Sequence, residues 1–220
     1  IINNLIQKHP ARELYLLIEK YREEFPHGRK IRHEIPIPII CACEYRRMND
    51  VQSFVNLFPY HKYVTNRYAN GYRDEMTLKD MVSQLGRDSR GWDRTPLMLA
   101  AGHENENSQI GQCLIEQGEA DPNIANSDDG WNALHFATSS NNTDTELIKL
   151  LLNNMSLDSI NKMSSGRFTP LDRVYSTIEF GGDNPTRQEI VRLIRLKGGK
   201  ANWYNENGIQ VGPNNGDLND

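Results

Sequence analysis

The 220-residue sequence predicts an all-α solenoid of about four or five stacked helix-turn-helix repeats, with short finger turns and an N-terminal helical cap. Three observations predict it. A turn glycine, a short polar stretch and a small, apolar helix start recur in order as "GWDRTPLMLAA" from Gly91, "GWNALHFATSS" from Gly130 and "GRFTPLDRVYS" from Gly166. Leu97, Leu134 and Leu171 within them stand at equal intervals of 37 residues (134 − 97 and 171 − 134), and a fixed period of this size marks a repeat architecture. Hydrophobic residues make up only 37% of the chain, which a thin fold with much surface tolerates better than a globule does.

Each block has the same internal grammar. Thr95-Pro96 and Thr169-Pro170 place a capping hydroxyl before a proline at the first helical position, where no amide hydrogen is missed. Ala100, Ala101 and Ala137 then let neighbouring helices approach. A greasier second helix follows. In the second block Thr143 and Glu146 have capping-box spacing, and Leu147, Ile148, Leu151 and Leu152 share one face. In the third, Thr186 and Glu189 repeat the box behind Pro185, with Ile190, Val191 and Ile194 on the face. Ile110, Cys113 and Leu114 play this part in the first. "EADPNIANSDDG" (119–130) and "GGKANWYNENG" (198–208) are exits, where glycine ends a helix and the chain turns out.

These blocks resemble ankyrin repeats. "TPLMLAA" (95–101), "NALHFAT" (132–138) and "TPLDRVY" (169–175) match parts of that family's helix-start pattern, and "EADPN" (119–123) matches the opening of its next finger. A further block is expected upstream, where Pro38 and Ala42 stand like Pro96 and Ala100 and where Val51, Phe54, Val55 and Phe58 form an outer face. The excess chain around 60–90, with Leu78, Met81, Val82 and Leu85, is either an insertion or a degenerate repeat; the latter is favoured. "PARELYLLIEKYREEF" (10–25) shows Leu14, Leu17, Ile18, Tyr21 and Phe25 on one face and, with the residues before it, reads as the cap. The expected organisation is a cap over 1–34, a stack over 35–208 and a polar, flexible tail over 209–220.

The departures from the family pattern carry expectations. The family histidine that bonds the neighbouring loop survives only as His135; Met98 and Asp172 stand at its place elsewhere, so those junctions should be less tightly tied. "FGGDNPT" (180–186) reads as an insertion between the helices of the third block, and Arg173 and Val174 replace its alanines, as suits a terminal repeat with one face in water. Asn123 reads as a turn residue that closes its finger.

Chemistry is sparse. A formal charge of −4 and a pI of about 5.9 create no general field for nucleic acid or anionic membrane. The longest apolar run, "IPIPIICAC" (35–43), is broken by Pro36 and Pro38 and is far short of a membrane span. Cys41, Cys43 and Cys113 form neither a disulfide framework nor a zinc pattern and read as buried thiols. There is no phosphate-binding glycine loop and no Gly-x-Ser-x-Gly. The histidines lack metal-ligand spacing, so neither metal nor cofactor is expected. The aromatic and basic "YHKYVTNRYANGYR" (60–73) reads first as a solvated loop with its tyrosines packed back, second as a protein-binding loop.

The resemblance implies a protein-interaction module without enzymatic activity, acting as an adaptor, inhibitor or effector through its concave finger and inner-helix surface. The alternative is a structural spacer or regulatory arm of a larger protein, such as a channel or an enzyme. The chain opens at Ile1 without a Met, which leaves its natural ends open. Carried onto this sequence, the finger tips hold Arg90 and Trp92, then Asp129 and Trp131, then Arg167 and Phe168, with Met98 and His135 behind them. Trp and Arg are the types enriched in binding hot spots. A single copy in a reducing, cytoplasm-like compartment is expected, the latter from three unpaired cysteines.

Overall fold

Among the described residues, five helices begin at a proline: α1 (Pro10–Glu24), α2 (Pro36–Glu44), α5 (Pro96–Gly102), α10 (Pro170–Gly181) and α11 (Pro185–Leu196). Proline's locked φ suits a first helical turn, and its missing N–H is not needed there. The computed structural model describes residues 10–24, 36–58, 78–102, 108–139 and 144–212. These fall into two compact units, Ile1–Pro96 with Cys113–Asp121, and Leu97–Gln112 with Pro122–Asp220. The first sequence block is therefore divided between them.

In the first unit, α1, α2, α3 (Met48–Leu57) and α4 (Leu78–Ser83) precede a short antiparallel hairpin, β1 (Gly86–Arg87) against β2 (Asp93–Arg94). Helix α3 packs on α1, on α2 and on the wide helical turn Cys113–Gln117. Val51, Phe54, Val55 and Phe58 line its buried face, as the i, i+3, i+4, i+7 spacing requires. Leu14, Ile18 and Tyr21 of α1 are buried, with the Tyr21 ring 5.6 Å from Phe54 and its hydroxyl donating to Asp50 at 2.8 Å. In α4, Met81 and Val82 are buried and Leu78 is half-buried, as is Leu85 just beyond its end. The wide turn closes through Gly118, whose N–H reaches the Cys113 carbonyl at 3.0 Å. A side chain at Gly118 would meet the Leu114 carbonyl oxygen at 2.7 Å, so glycine is required to end this helix. The aromatic loop at 60–73 and Phe25 lie outside the described residues.

In the second unit, an inner row of helices faces an outer row. The inner row includes α7 (Ala133–Ser139) packed on α10; the outer row runs α6 (Ser108–Gln112), α8 (Thr145–Asn154) and α11, with α8 packed on both others. Leu147, Ile148, Leu151 and Leu152 of α8 and Ile190, Val191 and Ile194 of α11 are buried, and a one-turn helix, α9 (Leu157–Ile160), leads to the next finger.

Three local readings are corrected. The cap of α8 is Asp144, whose carboxylate accepts the N–H of Glu146 and Leu147 at 3.1 Å and that of Ser108 at 2.9 Å; Thr143 lies outside the described residues. The cap of α11 is Asn184, which accepts Arg187 N–H at 2.9 Å, not Thr186. A residue before proline is held extended, so Asn184 (φ −151, ψ 161) is the one with cap geometry. The expected insertion between α10 and α11 shrinks to 182–184, because Phe180 and Gly181 continue the helix until Gly182 stops it at φ 82. The Thr169 cap is as expected, its hydroxyl capping α10; Asp172 also accepts the Thr169 N–H and completes a box that the sequence reading did not include.

Each finger is a small hairpin. Ala125 pairs with Asn132, and Tyr204 pairs with Gln210. The last one runs on to Val211, whose N–H donates to the Trp203 carbonyl at 2.9 Å. A tail boundary at 208 therefore cuts through a finger; residues 213–220 lie outside the described residues.

Candidate functional site

The second finger is wound tightly around one side-chain oxygen. Asn126 Oδ1 accepts the Trp131 N–H at 2.8 Å, the Asn126 N–H returns to the Trp131 carbonyl at 2.8 Å, and Gly130 supplies a φ of 73°. In the third finger that left-handed position is taken by Arg167 (φ 61°), not by Gly166. Ser164 Oγ accepts the Phe168 N–H at 3.1 Å. The two fingers are joined where Ser165 N–H donates to the Asp129 carbonyl at 2.8 Å.

These turns aim Trp131 and Phe168 at one side chain of α10. The Arg173 guanidinium carbon lies 4.9 Å from the Trp131 ring centroid and 5.7 Å from that of Phe168. Arg173 Nε donates to Ser139 Oγ at 3.0 Å. Phe168 in turn stacks on Trp203 of the last finger, 4.8 Å between centroids and 6° between planes. Trp203 is pinned by its indole N–H, which donates to the Arg167 carbonyl at 3.1 Å. Trp131, Arg173, Phe168 and Trp203 thus form a ladder of two cation–ring contacts and one ring–ring stack. All four side chains are half-buried. Burial pulls Arg173 below the usual guanidinium range.

Behind the ladder, successive repeats bond the next finger through one buried position. His135, fully buried, places Nε2 3.1 Å from the Phe168 carbonyl, so that nitrogen donates. Its Nδ1 lies 3.3 Å from the Asn132 N–H and 2.9 Å from Asn132 Oδ1. Burial pulls its pKa down to about 4. Asp172, also fully buried, accepts the N–H groups of Trp203 at 2.7 Å and Asn202 at 2.9 Å. The expected loosening at Asp172 does not occur: a carboxylate accepts from the next finger where the histidine donates to it. Asn123 acts in a related way, accepting the Ser156 N–H at 2.8 Å.

The eight residues singled out from the sequence separate into three groups. Asp129, Trp131, Arg167 and Phe168 are half-exposed on adjoining fingers of the second unit. Arg90 and Trp92 are exposed on the finger of the first unit, where Asp88 Oδ1 accepts both their N–H groups at 2.9 Å. The Trp92 ring is 48% exposed and has the Arg94 guanidinium 5.8 Å away. Met98 and His135 are corrected: at 1% and 0% exposure they belong to the core and offer a partner no surface. His135 bonds the next finger rather than lining a groove. Arg173 and Trp203 escape the sequence reading. The recurrence of an aromatic residue at Trp131, Phe168 and Trp203, with spacings of 37 and 35 residues (168 − 131 and 203 − 168), is the signal that could have found Trp203.

Other chemistry finds little footing. Cys41, Cys43 and Cys113 are buried and unpaired; burial pushes the Cys41 thiol up to about 12 and the other two upward as well, which suits inert core thiols. Among the described residues no cluster of three or more His, Cys, Asp or Glu could hold a metal ion. No described helix is long and apolar enough to cross a membrane.

Comparison with curated proteins finds no match. The family model described as ankyrin repeats (3 copies) matches residues 68–163 and 97–202, which together are more than half of the sequence. With helix pairs, finger turns and, in two successive repeats, a buried residue that bonds the next finger, the chain belongs to the ankyrin-repeat family.

Proposed function

We propose that this chain is a non-catalytic module that binds another protein through its finger and inner-helix surface. Ankyrin repeats generally mediate protein–protein interaction, and nothing in a repeat scaffold by itself activates a nucleophile. The observation that carries the reading is the ladder of Trp131, Arg173, Phe168 and Trp203. Rigid aromatic rings and an arginine on adjoining turns supply the residue types that dominate interface energetics. Arg90 and Trp92 offer a second exposed tip on the first unit, and Asp129 and Arg167 would form a polar rim around the ladder.

The finer organisation is read on the same terms. Helix α1 serves as the cap, α2 and α3 form a repeat, and the stack counts four or five repeats in all. The protein acts as a single copy in a reducing compartment, which its three unpaired thiols favour.

Affinity capture from cell lysate, followed by mass spectrometry, tests the function. Wild-type protein should retain a specific protein that Trp203→Ala and Trp92→Ala variants, checked for a normal urea midpoint, retain poorly. Equal retention by the folded variants would move the site elsewhere.

A further inference from the structure

Among the described residues, Arg173 is a ladder member with unused charged donors. A guanidinium carries five N–H donors. Nε is spent on Ser139 Oγ at 3.0 Å, and Ser139 itself donates onward to the His135 carbonyl at 2.6 Å. The four N–H bonds of the two terminal nitrogens have no acceptor among the described residues, and no carboxylate there forms an ion pair with Arg173. The carboxylates of the surrounding elements are engaged elsewhere. Asp129 accepts the Trp131 N–H, Asp172 accepts from Asn202 and Trp203, and Glu179 accepts the Tyr204 hydroxyl at 2.7 Å. Rings on two sides strip water from this cation, and a half-desolvated charge gains most from an opposite charge that completes its bonds.

Resting on the protein-binding reading above, we propose that Arg173, held between Trp131 and Phe168, receives the carboxylate of an Asp or Glu side chain of the partner protein. Planar guanidinium and planar carboxylate match in a two-bond fork. The ladder presets the plane of the fork and Ser139 presets its tilt. A phosphate dianion fits less well. Asp129 lies on the Trp131 finger with its own negative charge, which disfavours a second full negative charge here. The net charge of −4 gives the protein no general attraction for acids, so a preference for them must come from this site.

The test selects random displayed peptides on the full chain. Enriched peptides should share an acidic residue, and changing that Asp to Asn, or Glu to Gln, should weaken binding to the wild-type chain at least tenfold. The unchanged peptide should lose as much on Arg173→Gln and most of it on Arg173→Lys, which keeps the charge but loses the fork. The amide swap is read on the unaltered chain, so it stands even where a variant fails to fold. Enriched peptides without an acid that still compete with one another for the Trp203 face would overturn the carboxylate and leave the protein-binding reading intact. Tighter binding of a phosphoserine peptide than of its Glu counterpart would also overturn it. A chain that enriches no peptide would count against both.

Discussion

His135 and Asp172 occupy the same position of successive repeats and bond the next finger in opposite senses. His135 donates from Nε2 to the Phe168 carbonyl at 3.1 Å, and Asp172 accepts the Trp203 N–H at 2.7 Å. Each ties down the backbone beneath a ladder ring, so the surface rings and the buried polar residues form one arrangement.

Asp172→Ala should therefore be severe. It strands the N–H groups of Asn202, Trp203 and Thr169. Leaving buried donors unsatisfied costs about 1–3 kcal/mol each before relaxation, and a total loss of about 3–5 kcal/mol in urea unfolding is expected. Amide exchange at 202 and 203 should quicken more than exchange at 131. A loss below about 1 kcal/mol would mean that water replaces the carboxylate freely.

His135 should make the protein sensitive to mild acid. The unfolded chain takes up a proton on this ring near 6.5, the native chain only near 4. Its contribution is full above pH 6.5 and is lost as the pH falls toward 4, by up to about 3 kcal/mol. Asp129 pulls the ring toward the charged form and Arg173 opposes it, but burial dominates. Urea midpoints of wild type and His135→Gln between pH 7 and 4.5 should converge; parallel curves would show that the ring titrates normally.

Leu151 is fully buried on α8, in the outer row of the second unit. Leu151→Ala is expected to cost about 2–5 kcal/mol in urea melts. A loss below about 1 kcal/mol would mean that the helix is rotated from its described register.

Removing residues 209–220 takes away the returning edge of the last finger, including the Val211–Trp203 and Ile209–Asn205 bonds. A loss of about 1–2 kcal/mol is expected, together with a change in Trp203 fluorescence. An unchanged melting midpoint would show that the finger holds without its return, as a polar tail would have it.

The helical faces are legible in the sequence because period decides them: Leu147, Ile148, Leu151 and Leu152 can be buried together in only one way. The fingers are half legible. Turn glycines mark where they bend, but Arg167 taking the left-handed position in place of Gly166 depends on Ser164, which accepts the Phe168 N–H. A repeat pattern gives the place of Met98 and His135 in the unit and not the direction each faces, which is why their burial does not show in the sequence. Arg173 looks like a poor helix-packing residue where alanine is usual. Its role rests on Trp131 and Phe168, which approach from separate turns that no local pattern relates.

Hydrogen exchange of the chain with and without a captured protein partner bears most directly on the binding surface. Protection should concentrate in 126–131, 164–168 and 202–204 and on the exposed side of α10 around Arg173. Protection confined to the outer helices α8 and α11, with the fingers unchanged, would contradict the account.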